Sequence, residues 1–372
     1  MTKNNLAGNG RLLSLDALRG FDMMFIMGLS GIIVSICSLF PDGDTSWLAM
    51  QMSHVKWEGF HHHDTIFALF LFISGMTFPF SSAKKLEKGL SKGDITKEVL
   101  KRACILFFLG LVYQGFFHFH FATLRVMSVL GRIGIAWALA AIIYCYTGRK
   151  TQYGIAAGIL IGYFLLLKFT IAPDAPAGAD SMSKMGNISY YIDRIILGNH
   201  AYKPYGDPEG LVSTIPAIVT ALLGMFTGRY VKESDDSGEK KTLKLLGAAV
   251  VTGVAAALWS IWFPVIKNLW TSTFVLAAAS YSLAVFAIFY YIIDVKGWRK
   301  GVIFFQVVGM NSITIYLAQA FIDFQKIGDF FLSGVAELVP EVFGAVILRI
   351  GYFAAAWLML YFMYKKNVFL KV

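Results

Sequence analysis

The sequence is short of charge. Only 15% of its 372 residues are Asp, Glu, Lys or Arg, against 57% hydrophobic, whereas a soluble domain carries about a quarter charged residues. A chain of this size then has too little polar surface to cover a water-facing exterior. A soluble core is excluded, and lipid is the outer solvent. Cysteine is scarce too. Cys37, Cys104 and Cys145 lie in apolar runs at unrelated spacings, which excludes a disulfide framework and a cysteine metal motif. Residues 1–10 are polar and the first apolar run is too long for a cleavable leader, so no signal peptide is expected. There is no separate soluble domain and no convincing internal repeat, which counts against a transporter built from inverted halves.

What is present is a series of long apolar runs. A crossing helix needs about 20 mostly apolar residues, and ten such runs are expected near 18–40, 63–83, 98–118, 127–147, 151–171, 211–231, 243–263, 271–293, 302–323 and 341–364. Their continuous apolarity, without ten-residue alternation, favours helices over a barrel. The expectation is an all-α, polytopic helical bundle forming a single transmembrane domain over 1–372, set in a lipid bilayer. The net charge of +10 does not point to nucleic acid, because the basic residues cluster in short loops between the runs. With ten crossings, 23 Lys and Arg fall on one face and seven on the other. The richer face is cytoplasmic by the positive-inside rule, which puts both termini there. The opposite face carries the two longest connections, 41–62 and 172–210.

Ionisable groups near the bilayer are expensive unless paired or facing a cavity. Asp16, Arg19 and Asp22 recur at i, i+3, i+6 on one helical face, as an interfacial anchor or part of a substrate path. His54 on the outer loop is followed by Trp57, Gly59 and Asp64, an imidazole and an acid at a membrane–water boundary. Arg132, inside the fourth run, needs an acid, and Asp64 is at similar depth. Asn311 and Ser312 follow Gly309 in the ninth run, where a helix–helix hydrogen bond is the plain reading. His61, His62 and His63 with His118 and His120 place five imidazoles at outer helix ends. Consecutive histidines on a helix diverge and neither acid nor cysteine completes a set, so no metal is expected. Asp207 and Glu209 precede the sixth run, and Lys267, Asn268 and Trp270 precede the eighth. Together they offer acids, amides and an aromatic platform suited to a sugar.

At these residues the chain resembles the heparan-alpha-glucosaminide N-acetyltransferase group of transmembrane acetyltransferases, particularly its compact bacterial relatives. The resemblance is carried by SLDALRG at Ser14–Gly20, the H-x-x-W-x-G-x-x-x-x-D spacing at His54–Asp64 leading into FLFISG at Phe70–Gly75, and RVMSVLGRIG at Arg125–Gly134. YGDPEGLVSTI at Tyr205–Ile215, KNLWTSTFVL at Lys267–Leu276 and GMNSITIYL at Gly309–Leu317 follow in order. The resemblance implies transfer of acetyl from cytosolic acetyl-CoA to the amine of a terminal glucosamine across the membrane. The histidine matching His54 is the family's proposed catalytic residue, and the charge count independently puts it on the non-cytosolic face. Three features depart from the family pattern. Ser30 stands where an Asn is common, His61–His63 replace apolar or aromatic residues, and Ala68 replaces a Pro. The family's lumenal N-terminal extension with its additional span has no counterpart in this sequence.

The expected mechanism has CoA phosphates at the inner mouth, with Arg19, Lys101, Arg102 and Arg299 as candidates by position and Asn311 on the path between helices. His54 acts as base or as acetyl acceptor, Asp64 orients it, and Asn268 or Arg132 meets the oxyanion. Trp57, Arg132, Asp207, Glu209, Lys267, Asn268 and Trp270 are the expected acceptor contacts. Two other readings stay open, a sugar or glycan-precursor transporter without acyl chemistry and an O-acyltransferase of an envelope polysaccharide. The expected location is a bacterial cytoplasmic membrane, and a homodimer is among the open assemblies.

Overall fold

A computed structural model describes residues 12–370; Lys3, Arg11 and Lys371, counted above with the basic face, lie outside them. The described chain is helical throughout, broken only by turns, short 3-10 segments and two isolated bridges. Its long helices are α1 (Leu13–Cys37), α2 (His62–Glu87), α3 (Lys92–Tyr113), α4 (Val129–Tyr146), α5 (Arg149–Phe169), α6 (Thr214–Glu233), α7 (Gly238–Ser260) and α8 (Ser272–Val295). After these come α9 (Val302–Met310), α10 (Ser312–Phe321), α11 (Phe324–Ala336) and α12 (Glu341–Lys365). Polar residues mark the entries. Ser91, Ser128, Ser237 and Thr271 each accept a backbone N–H of the first turn that follows, filling donors that a helix start leaves without partners.

The ten expected crossings are only partly continuous. Among the described residues, eight helices are long and apolar enough to cross a membrane, or nine if α9 and α10 make one crossing. The expected third run folds as α3, of span length, but Asp94, Lys97, Glu98, Lys101 and Arg102 crowd its first half. The expected ninth run breaks at Asn311, where α9 and α10 meet at 66°. The stretch expected as an outer connection after it folds as α11, antiparallel to the first half of α12, with Gly328 on Gly351 and Ala336 on Gly344. The first run bends as well. Gly28, at φ 124°, sits against the Tyr352 ring inside a π turn at Phe25–Leu29.

Two seams fix the centre of the bundle. A Cβ at Gly75 would fall on the Ala221 carbonyl, and one at Gly224 or Gly228 on the carbonyls of Phe72 or Met76. The backbones of α2 and α6 therefore touch, as small residues permit in lipid. Gly20 and Gly309 do the same for α1 and α9. The connections sort into two layers at opposite ends of α2. At one end Lys85 pairs with Glu98, Arg149 with Glu233 and Lys296 with Glu239. At the other, Gly59 N–H donates to the Val265 carbonyl (2.9 Å), Trp57 to Met182, and Arg125 pairs with Asp207. The 26 residues of α2 separate these layers by about 39 Å at 1.5 Å per residue.

Candidate active site

The site is assembled at the first turn of α2. Asp64, the third residue of that helix, accepts the His61 N–H at 3.1 Å and so caps the helix start. The same carboxylate accepts from His54 Nδ1 at 2.8 Å, and its exposure is only 1%. An ionised carboxylate only accepts hydrogen bonds, so this contact places the imidazole proton on Nδ1 and leaves Nε2 with its lone pair. His54 itself is half exposed, at 53% of its side chain. Lys267 completes the group: its Nζ lies 3.6 Å from Asp64 and 3.0 and 3.3 Å from the two His54 nitrogens. Burial pulls the Lys267 ammonium below the ordinary lysine range, against the opposing attraction of Asp64 and Glu209. The result is an oriented, accessible imidazole with a cation beside it, able to take a proton or an acyl group.

Several residues expected to meet an acceptor are committed to the protein instead. Arg125 grips Asp207 through two bonds, at 2.9 and 2.6 Å, and also pairs with Glu209. Burial works against the Arg125 charge, but the two acids more than reverse it and hold the guanidinium above the ordinary arginine range. Arg132 does not pair with Asp64. It is fully buried, donates to the Pro208 carbonyl at 2.7 Å and to Ser213, and stacks 5.0 Å over Trp270. Trp270 is itself buried, at left-handed φ 52°, donating to Thr220 at 3.1 Å, so it presents no face to the outside. These residues form the scaffold that aims Lys267. Trp57 is half-buried and pinned to the Met182 carbonyl at 3.0 Å, and Asn268 is half-buried beside Lys267. These two remain placed to touch a ligand.

The histidine run divides as its helical spacing requires. His61 bonds the Ser53 carbonyl (2.9 Å), His62 the Tyr281 hydroxyl (2.9 Å), and His63 the Ser30 hydroxyl (3.2 Å) while lying 4.5 Å from the His54 ring. Among the described residues no three His, Cys, Asp or Glu side chains gather as metal ligands.

Toward the basic layer, Arg102 packs over Trp137 at 4.6 Å and lies close enough to Arg19 to feel its charge. Arg19 in turn faces Asp16 at 3.9 Å. The other expected cations are apart from them, with Lys101 exposed and Arg299 acting on Asp294. Between this end and His54 lies a small apolar cleft of about 40 Å³, lined by Met23, Ile66, Phe70, Ile133, Ser312 and Tyr316. Asn311, next to the cleft at the break in the ninth crossing, is buried with its amide nitrogen unpartnered.

No family model matches the chain. Two curated proteins do, the heparan-alpha-glucosaminide N-acetyltransferases of Homo sapiens and Mus musculus, each 24% identical over 97% of this chain. The chain is a distant relative of these enzymes. It spans about 60% of their length. Against the N-acetyltransferase resemblance, sequence reading missed three parts of the site. Arg125 was within a noted motif, and two adjacent buried acids demand such a cation. His63 and Ser30 were noted as departures, but only the fold brings Ser30 past the Gly28 bend to the His63 ring. Tyr281, on α8, carries no sequence signal beyond a hydroxyl among apolar residues.

Proposed function

We propose that this protein is a membrane acetyltransferase that moves acetyl from acetyl-CoA at its basic, cytosolic face to the amine of a glucosamine-type sugar on the other face. The observation carrying this reading is His54, held at 2.8 Å by buried Asp64 at one end of α2, with the Arg19–Arg102 pair further along that helix, where Arg102 packs on the Trp137 ring that bonds the Ser74 carbonyl. Acetyl-CoA supplies a thioester activated for attack. Arg19 and Arg102 would meet its phosphates, and Asn311 and the cleft its arm. His54 is the base toward the amine or the group that first takes the acetyl, while Asp64 fixes its tautomer and steadies the cation that forms. Lys267 and Asn268 are the donors nearest to where an oxyanion would develop. Trp57 offers a ring to the sugar. The chain would act as a single transmembrane domain in a bacterial cytoplasmic membrane with both termini in the cytosol.

The test is acetyl transfer to glucosamine by protein in liposomes. A general base contributes about 10²–10⁴ in rate, so His54→Ala is expected to lose that factor while acetyl-CoA still raises the melting temperature. Full activity in His54→Ala would refute the assignment. Uptake of labelled sugar without acetyl-CoA would favour a transporter, and an ester in the product an O-acyltransferase.

A further inference from the structure

Two imidazoles stand side by side at the site, yet different partners hold them. His54 is fixed by Asp64 at 2.8 Å and His63 by the Ser30 hydroxyl at 3.2 Å, with 4.5 Å between ring centroids and 59° between ring planes. His63 is on the first turn of α2, half-buried, while its neighbours His61 and His62 turn to Ser53 and Tyr281. Its titratable and charged surroundings are His54, Lys267, Asp64 and His62. While acylated on Nε2, with its Nδ1–H donating to Asp64, His54 has no lone pair for the attacking amine's proton until the carbon–nitrogen bond breaks. Asp64 is buried and occupied by His54 and by the helix start.

On the route in which His54 carries the acetyl group, we propose that His63 is a second catalytic base, receiving the amine proton in the second half of the reaction. The inference rests on the acetyltransferase reading above. In the first half, the Nε2 lone pair of His54 attacks the thioester. A carbon–nitrogen bond forms, the carbon–sulfur bond breaks, and a thiolate leaves beside an acylimidazolium paired with Asp64. In the second half, the amine attacks the same carbon, the carbon–nitrogen bond to His54 breaks, and its electron pair returns to Nε2. The proton shed by the new amide goes to His63 Nε2, whose ring is oriented by Nδ1–H donating to Ser30. Protonated His63 then supplies the proton that the next thiolate needs. Charge and atoms balance over the cycle, and thioester plus amine gives thiol plus amide.

Pre-steady-state CoA release, with acetyl-CoA as donor and glucosamine as probe acceptor, separates the two halves. The parent should show a burst of about one CoA per site and an acetylated His54 peptide in a quenched digest. His63→Phe and His63→Gln should keep the burst while steady turnover falls about 10²–10⁴-fold. Their residual rate should rise more steeply with pH, as hydroxide takes over the proton removal that His63 performs, and added imidazole should restore part of it. Unchanged turnover in both variants overturns the proposal. So does loss of the burst together with turnover in both, because the defect would then not be confined to the second half. Steady acetylation by the parent with no burst and no acetylated His54 also overturns it and leaves the parent function intact. Absence of any acetyl transfer by the parent sinks the acetyltransferase reading itself.

Discussion

Asp193 gives the sharpest physical test of the outer layer that carries the site. It lies on the short helix Ile188–Leu197, fully buried, with one oxygen accepting Leu211 N–H at 2.9 Å and the other against Gly210 without a hydrogen-bond partner. Burial, reinforced by Asp207 and opposed by the Leu211 N–H, lifts its carboxyl from the usual 3.8 to about 6. Ionising it in the fold is then costlier than in the unfolded chain by about 3 kcal/mol. The sign follows from proton counting. Below pH 3.8 the group is protonated in both states and adds no penalty. Between 3.8 and 6 the unfolded chain releases its proton first, so stability falls as pH rises, and above 6 the whole penalty stands. Asp193→Asn keeps the acceptor for Leu211 and removes the charge. It should match the parent near pH 4 and exceed it by up to about 3 kcal/mol at pH 8, a rise in melting temperature on the order of 5 °C. Thermal unfolding in detergent from pH 4 to 8 reads this directly. A variant less stable than the parent at pH 8, or a gap that does not close toward pH 4, would refute the reasoning.

Two further outcomes follow from the site. Asp64→Asn retains a helix-capping oxygen but cannot hold the His54 tautomer, so kcat should drop about 10²–10⁴-fold with little change in melting temperature; an equal loss of both would make Asp64 structural only. Arg125→Met strands two buried carboxylates and should cost about 3–5 kcal/mol of stability, seen in the same unfolding scans, with much of it recovered in Arg125→Met combined with Asp207→Asn and Glu209→Gln.

The helices were legible because lipid imposes a simple rule, long apolar runs with basic ends, and the expected boundaries fall within a few residues of α2, α4, α5 and α8. The breaks were not. Asn311 reads as one polar residue in an apolar run, and its 66° turn comes from packing that hydropathy does not encode. Of the site, His54 was picked out by the family resemblance, with Asp64 as the acid that follows it; their spacing alone did not separate a catalytic pair from a structural one. The role of Arg132 was misread because depth in a bilayer does not say which way a side chain points; the Pro208 carbonyl satisfies it, and Trp270 is turned inward by its left-handed backbone. Asp207 and Glu209 were expected to contact an acceptor because their partner, Arg125, lies some eighty positions away in sequence.

The glycine seam between α2 and α6 also bears on how such a protein moves. Side chains can re-sort between rotamers when helices slide, but two backbones in direct contact have nothing to re-sort. Helices α2 and α6 must therefore travel as a single strut, keeping His54 and its acid in register through any cycle. The jointed α9–α10 pair, whose elbow at Asn311 sits beside the apolar cleft, is bound to that strut by no such α2 or α6 backbone contact among the described residues.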